Sequence, residues 1–80
     1  MNFINNPAEL GAFIRKNRKF LKLTQPQLAL AAGVGVRFIV ELEAGKPTVR
    51  LENVLRVVQA LGGRLAIEGV MPQSDQAGET

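Results

Sequence analysis

The 80-residue chain contains no cysteine and no histidine. Without cysteine it has neither a disulfide framework nor a thiolate metal site, and without histidine it lacks the commonest general base and metal ligand. Its seven acidic residues are scattered, and no nucleophile–base pair suggests itself. We therefore expect no catalytic residues, no bound metal, no cofactor and no enzymatic activity.

Long apolar runs are also missing, since none approaches the roughly 18 to 20 residues of a membrane span. The composition, 46% hydrophobic and 21% charged, is that of a globular protein. The length suffices for one small domain with a core near the lower limit for independent stability. We assign residues 1–70 to this domain and expect residues 71–80, which are polar, to be disordered. A cytoplasmic protein with no membrane partner fits these features.

The charged residues are unevenly placed along the chain. Residues 1–50 hold eight basic and three acidic side chains, whereas residues 51–80 hold two basic and four acidic ones. The net charge of +3 therefore arises in the first part of the chain. A basic surface of this kind is the electrostatic footprint of a phosphate-binding protein.

Capping residues and helical periodicity predict two helices in the first part of the chain. Asn6 caps the first, which ends near Lys22 after an apolar stripe at Leu10, Phe13, Ile14, Phe20 and Leu21. Thr24 caps the second and forms a predicted capping box with Gln27. Gly33 is a good left-handed C-cap for that helix.

Two further helices follow in the predicted order. The third runs from about Val36 to Glu43, and Gly35 gives it a weak start because Ser or Thr would cap it better. The fourth begins with a Thr48 cap and ends at the glycine pair 62–63. Its buried face is predicted at Val54, Leu55, Val58 and Leu61.

Residues 64–70 are predicted to form a β-strand rather than a helix, because Leu65 and Ile67 share one face and charged residues the other. No other strand candidate exists in the sequence, and a single strand cannot satisfy its own backbone hydrogen bonds. The expected partner is the same strand of a second copy, with dimer contacts at Leu65, Ala66 and Ile67.

The second and third predicted helices form a helix-turn-helix over residues 24–45, and the second helix of such a unit can enter the DNA major groove. Helix geometry places Val36, Arg37, Val40 and Glu41 on its outer face. Arg37 can bind guanine O6 and N7 together, and the valines can contact thymine methyl groups. Glu41 can accept from cytosine N4, or it can orient Arg37.

These residues also have plainer interpretations. Arg37 can bind phosphate instead of a base, and two exposed valines are also suited to contact a protein. Phosphate binding is predicted for Gln25 at the start of the second helix, where free N–H groups attract anions. It is also predicted for Lys46 and Arg50.

Over residues 10–61 the chain resembles the lambda-repressor-like (Cro, or xenobiotic-response-element type) helix-turn-helix family, in the strings Leu23-Thr24-Gln25, Leu28-Ala29, Ala32-Gly33-Val34, Ile39 and Leu42-Glu43-Ala44-Gly45. The resemblance implies a mainly α bundle of about four helices. It also implies a phosphate contact at Gln25, base reading at the start of the third helix, and a structural ion pair between Arg18 and Glu43.

Residues 24 to about 70 are similar to HipB-type antitoxins, in the run from Arg37 to Thr48, the helix ending in Ala60-Leu61-Gly62 and the strand after it. This resemblance implies a strand paired across a homodimer, autorepression of an operon, and binding of a HipA-type serine/threonine kinase toxin. We therefore predict a repressor of a palindromic operator in double-stranded DNA. The alternatives are a stand-alone regulator without a toxin and a protein-interaction module that does not bind DNA.

Overall fold

Four helices make up the regular structure of residues 3–69, the part of the chain that this computed structural model describes. They are α1 (Pro7–Phe20), α2 (Gln25–Ala32), α3 (Val36–Glu43) and α4 (Leu51–Ala60). Helix α1 packs on α3, and α2 packs on both α3 and α4. The predicted mainly α bundle is confirmed. The tail predicted to be disordered, residues 71–80, lies outside the described residues.

The predicted start signals of the first two helices are confirmed. The Asn6 side chain accepts a hydrogen bond of 2.8 Å from the Glu9 N–H. Thr24 and Gln27 form the capping box, in which each side chain accepts from the other residue's backbone N–H. These bonds satisfy donors that a helix leaves free in its first turn, so they fix where each helix begins.

The core is built from seven buried apolar side chains contributed by all four helices. They are Ile14, Leu28, Ala29, Ile39, Leu42, Val54 and Val57. Ala29 is 2% exposed, and its small side chain lets α2 lie close to its neighbours. Burial of these side chains supplies the main favourable term that holds the short helices together.

The apolar stripe predicted on α1 is partly wrong. The buried positions are Gly11, Ile14 and Arg18, whereas Phe20 and Leu21 are 81% and 45% exposed. The helical spacing of three and four residues carries the inner face from Gly11 to Arg18, so Phe20 lies on another side.

The predicted Thr48 cap is also wrong, because α4 begins at Leu51 with Arg50 in the cap position and no side-chain cap bond. The chain stays non-helical through Thr48, and Val49 packs against the core from this segment. Of the predicted inner face of α4, Val54 is buried, and the fully buried position one turn later is Val57.

Residues 64–69 contain no β-strand in the single chain that the structure describes, and Val70 lies outside the described residues. Leu65 and Ile67 are 53% and 78% exposed, and Ala66 between them is exposed too. Pairing with a second copy therefore stays a prediction. Among residues 3–69, no helix combines the length and the apolar character needed to cross a membrane.

Candidate nucleic-acid interface

A three-residue turn joins α2 to α3 and sets the angle between them. Gly33 has a left-handed backbone with φ of 73°, which glycine adopts without strain. Its N–H donates to the Leu30 carbonyl, and the Val34 N–H donates to the Ala29 carbonyl at 3.0 Å. Helix α3 then begins at Val36, with Gly35 in the cap position and no side-chain cap bond, as predicted. The conformation of this turn is therefore fixed mainly by backbone hydrogen bonds.

Helix α3 has an inner and an outer face, as helix geometry predicts. Ile39 and Leu42 are 0% and 1% exposed and hold the helix in the core. Val36 and Val40 are 42% and 44% exposed on the opposite side. The side chain of Arg37 is 90% exposed. The outer face therefore presents two apolar side chains and one guanidinium to the surroundings.

Glu41 lies on this outer face and contacts two cations. Arg37 Nε donates to Glu41 Oε2 at 3.2 Å, and Lys46 Nζ lies 3.3 Å from Glu41 Oε1. The hydrogen bond from Arg37, followed by that from Lys46, holds the pKa of the Glu41 carboxyl below its ordinary value. Glu41 is therefore ionised at neutral pH and links Arg37 to Lys46.

The turn after α3 brings Lys46 back over the helix. Gly45 has φ of 86°, the left-handed conformation that closes a helix. The Lys46 N–H then donates to the Glu41 carbonyl at 3.0 Å. Lys46 thus contacts Glu41 through both its backbone and its side chain.

A second and buried ion pair joins α1 to the end of α3. Arg18 Nε and Nη2 donate to the two carboxylate oxygens of Glu43 at 2.7 and 2.9 Å, and the two side chains are 9% and 4% exposed. Arg18 Nη1 donates to the Leu23 carbonyl at 2.9 Å. The pair therefore fastens α1, the loop before α2 and the end of α3 to one another.

Burial and hydrogen bonding act on Glu43 in opposite directions. Burial raises the pKa of its carboxyl, but hydrogen bonds from Arg18 and Gln25, together with the positive charges of Arg18 and Arg15, outweigh that effect and leave the pKa below its ordinary value. The hydrogen bond to Glu43 in turn raises the pKa of Arg18. Both groups are charged at neutral pH, as a buried pair must be to offset its desolvation.

Sequence reasoning missed Gly11, which allows α1 to approach α3. A Cβ atom at this position would lie 2.7 Å from the Glu43 carbonyl oxygen and would also clash with the Leu42 carbonyl. Gly11 is one helical turn before Ile14 and two before Arg18, and this spacing was the available signal. The close approach lets Arg18 reach Glu43.

The predicted phosphate ligands occupy different surroundings. Gln25 begins α2, and its side-chain amide donates to Glu43 Oε1 at 3.1 Å. Pro26 has no N–H and the Gln27 N–H donates to Thr24, so the Gln25 N–H is the backbone donor of this first turn that can bind a phosphate. Arg50 lies before α4, 77% exposed, 3.6 Å from Glu52.

Comparison with known proteins agrees with this geometry. A family model described as helix-turn-helix matches residues 14–67. The chain belongs to the helix-turn-helix family of Cro/XRE type. This family consists of DNA-binding transcriptional regulators and is not an enzyme class. The match spans all of α2, α3 and α4 and the second half of α1.

Relatives of this helix-turn-helix protein include the uncharacterized HTH-type transcriptional regulator y4mF of Sinorhizobium fredii. The two are 56% identical over 59 residues, which cover 74% of this chain and 78% of the relative.

Solved structures share the fold. A chain of the HipA–HipB–O2–O3 complex and one of the HipB–O4 20mer complex each have a TM-score of 0.80 and 20% identity, with 89% of this chain and 100% of that chain covered. The MDT protein has a TM-score of 0.78 and 21% identity over 89% of this chain and 100% of that one.

Proposed function

We propose that this helix-turn-helix regulator is a sequence-specific repressor that binds operator DNA as a homodimer. The observation that carries the proposal is the outer face of α3, where a 90% exposed Arg37 stands between half-exposed Val36 and Val40. These side chains extend from a helix held in the core by Ile39 and Leu42. A rigid helix with an exposed apolar and cationic face is suited to the major groove.

The roles of individual residues follow from this placement. Arg37 binds a guanine, Val36 and Val40 contact thymine methyl groups, and Glu41 supports base reading beside them. Gln25, Lys46 and Arg50 bind phosphates on the two sides of α3. Arg18 and Glu43 stay with each other and do not contact DNA.

Dimerisation is proposed through residues 64–70. In the described part of this segment, Leu65, Ala66 and Ile67 are exposed although two of them are large and apolar. Pairing of this segment with its copy would bury these side chains and satisfy the backbone. Two subunits would then place their α3 helices about 34 Å apart, one turn of DNA, on a palindromic operator.

We further propose that the protein is an antitoxin of the HipB type, which represses its own operon and binds a HipA-type kinase toxin. Support comes from the shared fold, since one structure with this fold is a HipA–HipB–O2–O3 complex. A pull-down from the native host, together with inspection of the adjacent gene, tests the toxin partner. Absence of such a partner leaves a stand-alone regulator.

The DNA-binding proposal is tested by fluorescence titration of two labelled duplexes of equal length at two salt concentrations. One duplex carries the promoter upstream of the gene, and the other carries the same bases in scrambled order. We expect tighter binding to the promoter and weaker binding to both at higher salt. A protein that binds neither duplex at low salt contradicts the proposal and favours a protein-interaction module.

The dimer proposal is tested by sedimentation of a variant that lacks residues 64–80. We expect this variant to be monomeric and to bind the promoter far more weakly than the full chain. A variant lacking only residues 71–80 is the matched control and should stay dimeric. If the longer deletion leaves a dimer, the proposed role of Leu65, Ala66 and Ile67 is wrong.

A further inference from the structure

The outer face of α3, which is proposed to bind DNA, carries a carboxylate that contacts two cations. Glu41 is the acidic residue of this face, beside the exposed Arg37 and half-exposed Lys46. Negative charge at this place repels phosphate and offsets two cations that would otherwise attract it. Attraction to phosphate therefore does not explain the presence of Glu41 on this face.

Glu41 contacts its two cations in a particular way. Arg37 donates through Nε, so the two terminal nitrogens of its guanidinium are not used in this contact. Those two nitrogens form the fork that binds guanine O6 and N7. The other oxygen of Glu41 is held by Lys46, whose backbone N–H also donates to the Glu41 carbonyl. Lys46 therefore contacts the same carboxylate that Arg37 contacts, through the other oxygen.

Stability does not explain this arrangement. Arg37 is 90% exposed and Glu41 is 29% exposed, and ion pairs in such surroundings contribute little to the free energy of folding. The consequence of the contact lies instead in the conformation and net charge of the surface.

We propose that Glu41 is a positioning residue that determines specificity: it presents the terminal nitrogens of Arg37 to guanine and weakens binding to DNA of other sequences. This inference rests on the proposed DNA-binding function. On the operator, Arg37 binds guanine while its Nε stays on Glu41. On other DNA, Arg37 reaches phosphate only by breaking its contact with Glu41, whereas repulsion between the carboxylate and the DNA backbone acts on the operator and on other DNA alike.

The test compares the wild-type protein with Glu41→Gln, which keeps the side-chain shape and removes the charge. Binding is measured on the best duplex selected from a random oligonucleotide pool and on a scrambled duplex. We expect the ratio of the two affinities to fall about tenfold, within the range of one bidentate base contact. The affinity for scrambled DNA rises, and the slope of its logarithm against log salt steepens by about 0.9, one phosphate contact.

Glu52→Gln is the matched control. Glu52 also lies between two cations, with Arg50 Nη2 at 3.6 Å and Arg56 Nη2 at 3.1 Å, but it belongs to α4. The substitution makes the same change in net charge. Because Arg50 is proposed to contact only phosphate, Glu52→Gln should alter both affinities together and leave their ratio unchanged.

A double-mutant comparison separates positioning from direct reading by Glu41. If Glu41 acts through Arg37, Glu41→Gln leaves the affinity ratio unchanged in an Arg37→Ala background. A reduced ratio in both backgrounds means that Glu41 contacts a base itself, which overturns the inference. A Glu41→Gln protein with the wild-type affinity ratio and salt slope also overturns the inference. If the wild-type protein itself does not discriminate between duplexes, the proposed function is wrong, and the inference is wrong with it.

Discussion

Two carboxylates on α3, only two residues apart, have opposite surroundings. Glu43 is 4% exposed and is enclosed by Arg18 and Gln25, whereas Glu41 is 29% exposed and holds Arg37 and Lys46 at the surface. Each accepts from two side chains, so the bonding patterns look alike. Burial makes the difference, because a buried charge that loses its partner cannot turn to water. Glu43 and its partners therefore stabilise the fold, whereas Glu41 and its partners are accessible to a ligand.

Removal of the buried charge should have the largest effect. Glu43→Gln leaves Arg18 charged and poorly paired in the interior, and we expect the free energy of unfolding to fall by about 3–5 kcal/mol. Urea unfolding followed by circular dichroism measures this loss. Glu41→Gln, the same chemical change at the surface, should alter the free energy of unfolding by no more than about 0.5 kcal/mol.

A second variant shows whether the loss comes from the unpaired charge. Arg18→Met combined with Glu43→Leu removes both charges and fills the space with apolar groups. This double variant should be more stable than Glu43→Gln. Equal instability of the two would mean that packing, and not charge, accounts for the loss.

The close approach of α1 to α3 should also be sensitive. Gly11→Ala places a Cβ against the carbonyls of Leu42 and Glu43, and we expect a loss of about 1–3 kcal/mol despite the better helix propensity of alanine. Ala12→Gly is a useful reference, because it changes propensity on the exposed side of α1. If Gly11→Ala is stabilising, the two helices are free to separate and the close contact is unimportant.

Substitution of the exposed partners of Glu41 should affect DNA binding and leave the free energy of unfolding almost unchanged. Arg37→Ala is expected to cost about 1–3 kcal/mol on the operator and to relax the preference at one base pair. Lys46→Ala should weaken binding to all sequences and make the salt dependence shallower. Titration of operator and scrambled duplexes measures both. If the two variants lose affinity equally on both duplexes, Arg37 binds phosphate and not a base.

Acid should lower the stability of the protein through Glu43, and we expect this effect to be the smallest of the predicted ones. The pKa of Glu43 is lower in the folded protein than its ordinary value of about 4.3. Its contribution to stability is therefore fully present above that ordinary value and disappears as the pH falls through the folded pKa. Urea unfolding at a series of pH values should show a steeper acid loss in the wild-type protein than in Glu43→Gln. Parallel pH profiles would contradict this assignment.

Much of the fold could be predicted from neighbouring residues in the sequence. The capping box at Thr24, the left-handed turns at Gly33 and Gly45, and the limits of α3 depend on contacts within a few residues. The separation of α3 into inner and outer faces follows from helix periodicity alone.

The predictions were wrong where residues far apart in the sequence determine which side chain is buried or where a helix begins. Phe20 is more apolar than Arg18, yet Arg18 is the buried residue. Gly11 lets α1 approach α3 closely, and Arg18 is then within hydrogen-bond distance of Glu43. Thr48 is a good cap, but Val49 packs on the core from a non-helical segment, and α4 begins only at Leu51. Local preferences are worth about 1 kcal/mol each, and core packing exceeds that amount.

The sequence was sufficient to predict a basic helix-turn-helix domain and the residues on its outer face, because composition and periodicity are properties of the chain itself. Which charges are enclosed and which remain accessible depends on how α1, α2 and α3 pack together. Glu41 and Glu43 are the same residue type on the same short helix. Their roles differ only because folding gives them different neighbours: Glu43 forms a structural ion pair, and Glu41 lies on a surface that is accessible to DNA.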